Sequence, residues 1–182
     1  MRRRRTPPDL EIVPAGPVDD GLLRALGEDL QAALALRWRV GDAVPLRDEW
    51  MDGETGHCRS VHLMRALMEE GRGGRWRLAI ADAGLCAAEV GPILGEAALG
   101  GRYAVVGLAP LRAGSGADAD VLRGRLLTEA LHELGHLAGV GHCGRASCVM
   151  YPSSHIADSD RKGTRFCASC AEPLKRLGIR KS

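Results

Sequence analysis

Residues 118–143 read DADVLRGRLLTEALHELGHLAGVGHC, and the periodicities in this stretch decide how the rest of the chain is understood. Val121, Leu122, Leu126, Leu127, Ala130, Leu131 and Leu134 recur at helical spacing, which predicts one long helix over Asp118–Ala138 with those side chains inward. On that helix His132 and His136 stand four positions apart, so their imidazoles stack on one face, about one turn apart, and both can reach one ion. Glu133 lies about 100° further round, close enough to hold a water beside the ion without being forced to coordinate it. A straight helix would carry the residues that follow away from that point. Gly139 and Gly141 permit a sharp turn, expected to use positive φ, that swings His142 back beneath the ion. Three neutral imidazoles leave a fourth position for water, which is the pattern of a catalytic rather than a structural zinc. Such an ion lowers the pKa of its water towards roughly 7, and Glu133 is then placed to accept the proton as general base.

Working outward, four of the six cysteines crowd into the segment that follows: Cys143 and Cys148, then the Cys-x-x-Cys pair Cys167 and Cys170. In a reducing compartment such a cluster reads as a metal site before it reads as a disulfide framework. Four thiolates from two short hairpins make a closed tetrahedral site, whose binding can staple a lobe too poor in apolar residues to hold itself together. A redox pair formed by Cys167 and Cys170 is the rival reading, although the strand-helix context of a thioredoxin-like motif is missing. Two zinc ions are therefore expected, one catalytic and one structural. Because Cys143 directly follows His142, a single peptide bond would join the two sites.

Upstream, the pattern is strand (Leu10–Val13), helix (Val18–Leu36), short strand (Trp38–Val40), a loop over 41–56, helix (His57–Glu70), strand (Trp76–Ala81) and strand (Tyr103–Leu108). Residues 85–101 are rich in Ala and Gly and give no assignment. After Gly139 only a short terminal helix near Ala171–Leu177 is expected. The order predicts an α+β, α/β-like fold: a twisted mixed sheet with helices and an active-site helix, above a small irregular lobe. The division would fall at 139/140 within one domain over residues 1–182, with a cleft between the lobes. Tyr103–Ala109 is read as an edge strand beside that cleft, where an extended peptide could add by backbone hydrogen bonds; an inner strand is the alternative.

Composition narrows the partners. The formal charge is only +2 and aromatic residues are 3% of the chain, which argues against nucleic acid or a membrane surface. A nucleic-acid-binding zinc protein, suggested by Arg2–Arg5 and the cysteines, is disfavoured on the same grounds. Thr6-Pro7-Pro8-Asp9 stands where a signal peptide would need an apolar run, so the cytoplasm is the expected location. His57 and His62 are five positions apart, a poor shared-face spacing, and with Cys58 are read as structural or surface groups. Cys86 stands apart from the other cysteines. His155 reads as a solvated loop histidine rather than a cleft residue. Arg161 and Lys162 are expected to form a local charge network with Asp158 and Asp160.

The run His132-Glu133-Leu134-Gly135-His136-Leu137-Ala138-Gly139-Val140-Gly141-His142-Cys143, then Cys148-Val149-Met150, Ala157–Gly163 and Cys167-Ala168-Ser169-Cys170, has the extended metzincin spacing and closely resembles the archaemetzincin family. The likeness covers about the last third of the chain. Metzincins place a Met-containing turn under the catalytic zinc as an apolar floor, and Met150 stands at that place; a plain core methionine would differ little in energetics. Tyr151 is not where other metzincins put a metal-approaching Tyr and is given no catalytic role. The resemblance implies a monomeric metallopeptidase acting on small peptides. The competing reading is a catalytically silent zinc module that binds peptides or protein partners.

Overall fold

The structure is a computed structural model and describes residues 7–71, 73–114 and 118–179; the arginine-rich opening Met1–Arg5 lies outside the described residues. In chain order the elements are β1 (Leu10–Ala15), α1 (Asp20–Leu34), β2 (Trp38–Val40), β3 (Cys58–Arg59), α2 (Ser60–Glu70), β4 (Trp76–Ala81), β5 (Leu85–Ala87), β6 (Gly91–Ile93), β7 (Gly95–Ala97), β8 (Tyr103–Gly107), α3 (Leu108–Arg112), α4 (Ala119–Leu137), α5 (Ile156–Lys162) and α6 (Ala168–Arg176). No helix among the described residues is long and apolar enough to cross a membrane.

β1 and β4 are the spine of a five-stranded sheet of order β2-β1-β4-β8-β7, parallel except for β7. Both are buried along their whole length. Their alternation sends Leu10, Ile12, Leu78 and Ile80 to the face covered by α1 and α4, and Val13, Ala15, Ala79 and Ala81 to the face covered by Leu63 and Leu67 of α2. Parallel neighbours need long crossovers, and α1 and α2 are these crossovers. One carboxylate is buried in the sheet: Glu11 meets Arg77 on the next strand at 2.6 Å and also pairs with Arg39. The mixed sheet and flanking helices agree with the expected α+β, α/β-like class.

Three expectations about the elements change. Tyr103–Ala109 is not an edge strand: β8 runs between β4 and β7 and is buried from Ala104 to Gly107, while the edge is β7. The reason is the unassigned stretch 85–101, which forms β5, β6 and β7 and covers β8 with an antiparallel partner. The helix expected from His57 starts at Ser60, because Cys58–Arg59 pairs with β5. The segment after Gly139 also holds an additional helix, α5, which Arg125 of α4 grips through a forked pair to Asp160 at 2.7 and 2.8 Å.

α4 positions the chemistry. Its first turn is capped by Asp118, whose Oδ1 accepts from the amides of Asp120 and Val121 at 3.0 and 3.2 Å. From Thr128 to Gly135 every residue is buried, between the sheet and the cysteine-bearing segment. Val121, expected inward, is exposed on the first turn.

Candidate metal centres and catalytic cleft

The helix ends in the bend that the third histidine requires. The Gly139 amide donates to His136 O at 2.9 Å and the Val140 amide to Gly135 O at 3.0 Å, with Gly139 at φ 84°. This is a Schellman closure around a left-handed residue, a conformation costly for anything but glycine. Gly141, expected to share the role, has no positive φ. Beyond the bend His142 folds back, its ring centroid 5.3 Å from that of His132 and 4.9 Å from that of His136. One ring nitrogen from each of His132, His136 and His142 falls within 4.8 Å of the others.

The nitrogens on the far side of two rings are already engaged. His132 Nδ1 lies 2.7 Å from Val149 O and His136 Nδ1 lies 2.8 Å from Val140 O. A carbonyl only accepts, so each Nδ1 carries the proton and each Nε2 is a bare lone pair. Those two Nε2 atoms face each other at 3.1 Å. Two lone pairs at that distance repel unless a cation lies between them, and a tetrahedral zinc with nitrogen ligands at roughly 2.0 Å separates them by about 3.3 Å. The donor set therefore fits zinc. Burial, helped by the Lys162 ammonium, holds the His132 imidazolium down to about 3, and burial also lowers His136. Both rings are neutral at pH 7, as ligation demands.

Glu133 is buried beside them, and its Oε2 has no hydrogen-bond partner among the described residues. Burial first, then the neighbouring Glu129 carboxylate, pushes its carboxyl well above the usual range. Glu133 and the histidines line a cleft of roughly 520 Å³, closed on one side by Leu94, Gly95, Glu96 and Ala97 and on the other by Pro152, Ser153 and Ser154. The edge strand β7 thus forms one wall. Under the helix, Met150 and Phe166 lie so close to Gly135 that a Cβ there would meet Phe166 Cε1 at 2.9 Å and Met150 Cε at 3.0 Å. Met150 is fully buried as the floor beneath α4.

The four C-terminal cysteines also converge, with one sulfur from each of Cys143, Cys148, Cys167 and Cys170 within 4.8 Å of the rest. Cys143 Sγ and Cys167 Sγ are 3.9 Å apart, close to the edge of about 3.8 Å in a tetrahedron with zinc–sulfur bonds near 2.3 Å. The Cys170 amide leads in drawing the Cys167 thiol down to about 7, while burial pushes the thiols of Cys148 and Cys170 up. This set fits a closed zinc site.

The remaining predicted residues lie elsewhere. Cys58 is fully buried, His62 stacks on Trp50 with centroids 6.3 Å apart, and Cys86 sits in the small sheet, its thiol reaching the His57 carbonyl. His155 is solvated at the N-terminus of α5. Of the expected local charge network only Arg161–Asp158 is present, at 3.6 Å; Asp160 and Lys162 turn to Arg125 and Glu129 of α4. Glu129 itself, three residues before His132, carries no motif, and its one sequence signal is a charged residue on the apolar face of the predicted helix.

Residues 74–176, more than half of the chain, match the model of Peptidase family M54. The archaemetzincin of Methanocaldococcus jannaschii is 39% identical over 105 residues, covering 56% of this chain and 59% of that one. The archaemetzincin of Methanopyrus kandleri is 37% identical over 122 residues, 65% of this chain and 68% of that one. In three dimensions the crystal structure of the M. kandleri protein superposes with a TM-score of 0.80 at 27% identity, over 93% of this chain and 95% of the other. The Archaeoglobus fulgidus archaemetzincin, solved with malonate, gives 0.79 at 26%, over 90% and 99%. The family match spans the part of the chain that carries both clusters, the structural likeness extends through the whole sheet, and on both counts the chain belongs to Peptidase family M54, the metallopeptidase family of the archaemetzincins.

Proposed function

We propose that this chain hydrolyses peptide bonds with a zinc ion held by His132, His136 and His142, Glu133 as general base, and a second, structural zinc on Cys143, Cys148, Cys167 and Cys170. The observation that carries the reading is the pair of bare Nε2 atoms 3.1 Å apart, on the wall of a cleft that also holds an unpartnered, buried Glu133 oxygen. When bound at the histidines, zinc polarises the scissile carbonyl and makes water acidic enough to lose a proton near neutral pH.

The protein's own groups do the rest. Among the described residues β7 pairs with β8 along one edge only, so its other edge can take an extended peptide as a further strand and lay it across the histidines. Glu133 Oε2 receives the proton of the attacking water, and the same oxygen then delivers it to the leaving nitrogen. Leu94, Ala97 and Pro152 give the cleft apolar lining, and burial of Glu133 keeps that carboxylate a strong base. On this reading residues 1–182 are one peptidase unit, acting as a monomer on small peptides in the cytoplasm.

Digestion of a peptide library by the zinc-loaded protein, with Glu133→Ala as control, tests the reading. The parent is expected to cleave; the variant is expected to keep its zinc and lose activity by at least about a hundredfold. Undiminished cleavage by the variant would refute the assignment of the base.

A further inference from the structure

Lys162 ends α5 with no part of its side chain exposed. Its Nζ lies 3.2 Å from Glu129 Oε1 and 3.5 Å from Oε2, 3.3 Å from Tyr151 O and 3.2 Å from His132 Nδ1. The last contact matters most. A ring nitrogen bears either a proton or a lone pair, and Nδ1 of His132 has both kinds of neighbour: the Val149 carbonyl at 2.7 Å, which can only accept, and an ammonium, which can only donate.

The two alternatives have opposite consequences. If Nδ1 donates to Val149 O, Nε2 is bare and faces the metal position. If Nδ1 accepts from Lys162, the ring proton moves to Nε2 and the imidazole no longer offers a ligand there. The ammonium is within reach of the wrong partner. Glu129 competes for it: both carboxylate oxygens face Nζ, its side chain is 2% exposed, and Ser153 Oγ donates to Oε1 at 3.2 Å. Paired in this way, Lys162 donates to Tyr151 O, directly after Met150, and its charge is cancelled next to the place where a cation would sit.

We propose that Glu129 is a positioning residue for the histidine centre, engaging the Lys162 ammonium that lies beside His132 Nδ1 so that it does not displace the Nδ1 proton, and so keeping His132 in the tautomer that ligates a metal. The inference rests on the reading of the three histidines as a metal site, but not on peptide hydrolysis.

The test is cobalt(II) binding at the histidine centre of the full chain with zinc kept on the cysteines, together with ¹⁵N shifts of the imidazoles before cobalt is added. Glu129→Gln is expected to weaken cobalt binding by about ten- to a hundredfold and to move the His132 proton from Nδ1 to Nε2. Adding Lys162→Met to Glu129→Gln is expected to return both readouts to near those of the parent, because the competing donor has gone. A merely structural clamp would also recover when the unpaired Lys162 charge is removed, but it would leave the His132 proton on Nδ1 in Glu129→Gln, so the ¹⁵N shifts separate the two. Parental cobalt affinity in Glu129→Gln, or a double variant that binds no better than the single one, would overturn the proposal. If Glu129→Gln does not fold, Lys162→Met alone decides: near-parental cobalt affinity supports the inference and a tenfold loss overturns it. A parent that binds cobalt at the histidines yet cleaves no peptide would remove the peptidase reading and leave this one standing. A parent that takes up no cobalt there would sink both.

Discussion

The two candidate metal centres lie on either side of one peptide bond, His142–Cys143, and they are held in different ways. Two of the three histidines sit on a helix, His132 buried and His136 half-buried, each with its Nδ1 fixed by a backbone carbonyl. The cysteines come from a stretch without regular structure, Cys143 and Cys148, and from the start of α6, Cys167 and Cys170. The fold preforms the first cluster, open on a cleft. The second gathers four sulfurs with little secondary structure behind them, so on the proposed reading an ion bound there would supply much of the local stability. On that reading the first centre would lose its metal and keep its shape, while the second would hold the segment that delivers His142.

The largest effect should follow from breaking the second centre. Structural zinc sites contribute on the order of 10 kcal/mol, so Cys170→Ser is expected to release one zinc and open the chain between Cys143 and Cys167 to protease. It should also weaken metal binding at the histidines, through His142. Limited proteolysis and metal analysis of one preparation check all three. The converse substitution, His136→Ala, should release a zinc without exposing that segment. If both variants expose it equally, the contrast between the centres fails.

A smaller effect is expected from acid. The native pKa of His132 is depressed from 6.5 to about 3, so between those values the unfolded chain binds a proton that the folded chain does not. The contribution is complete above pH 6.5 and is lost as pH falls from there towards about 3, amounting to a few kcal/mol. Urea unfolding at a series of pH values should show this decline in the parent and a flatter profile in His132→Gln. Equal profiles would mean that the imidazole is not held neutral by burial.

Gly135→Ala should have the smallest effect of the three. The new methyl would press on Met150 and Phe166, a crowding that costs about 1–3 kcal/mol and falls under the histidines rather than the cysteines. Thermal unfolding is expected to shift downwards with both zinc ions retained. Loss of the cysteine-bound zinc instead would show that the floor belongs to the other centre.

What the sequence revealed follows from the same contrast. The ligand spacings are local: two histidines a helical turn apart, a glycine that can take positive φ, a third histidine and two close pairs of cysteines are legible without any tertiary information. The cleft wall was not legible, because Leu85–Ala87, Gly91–Ile93 and Gly95–Ala97 are three-residue strands carrying Gly, Pro and Glu, too short for alternation to show. β8 was misplaced at the edge for a related reason, since an inner strand and an edge strand can share one apolar pattern. α5 escaped notice because its sequence, IADSDRK, is polar. It is fixed by the distant partners Arg125 and Glu129, and no window of neighbouring residues contains those contacts.

The most direct test of the central claim, that three imidazoles and four thiolates form separate zinc centres, is zinc K-edge X-ray absorption on the parent and on His132→Ala, with zinc counted in each. The account predicts two zinc ions per chain in the parent with mixed nitrogen and sulfur shells, and one ion in a pure sulfur shell after the substitution. A single zinc with sulfur ligands alone in the parent would contradict it.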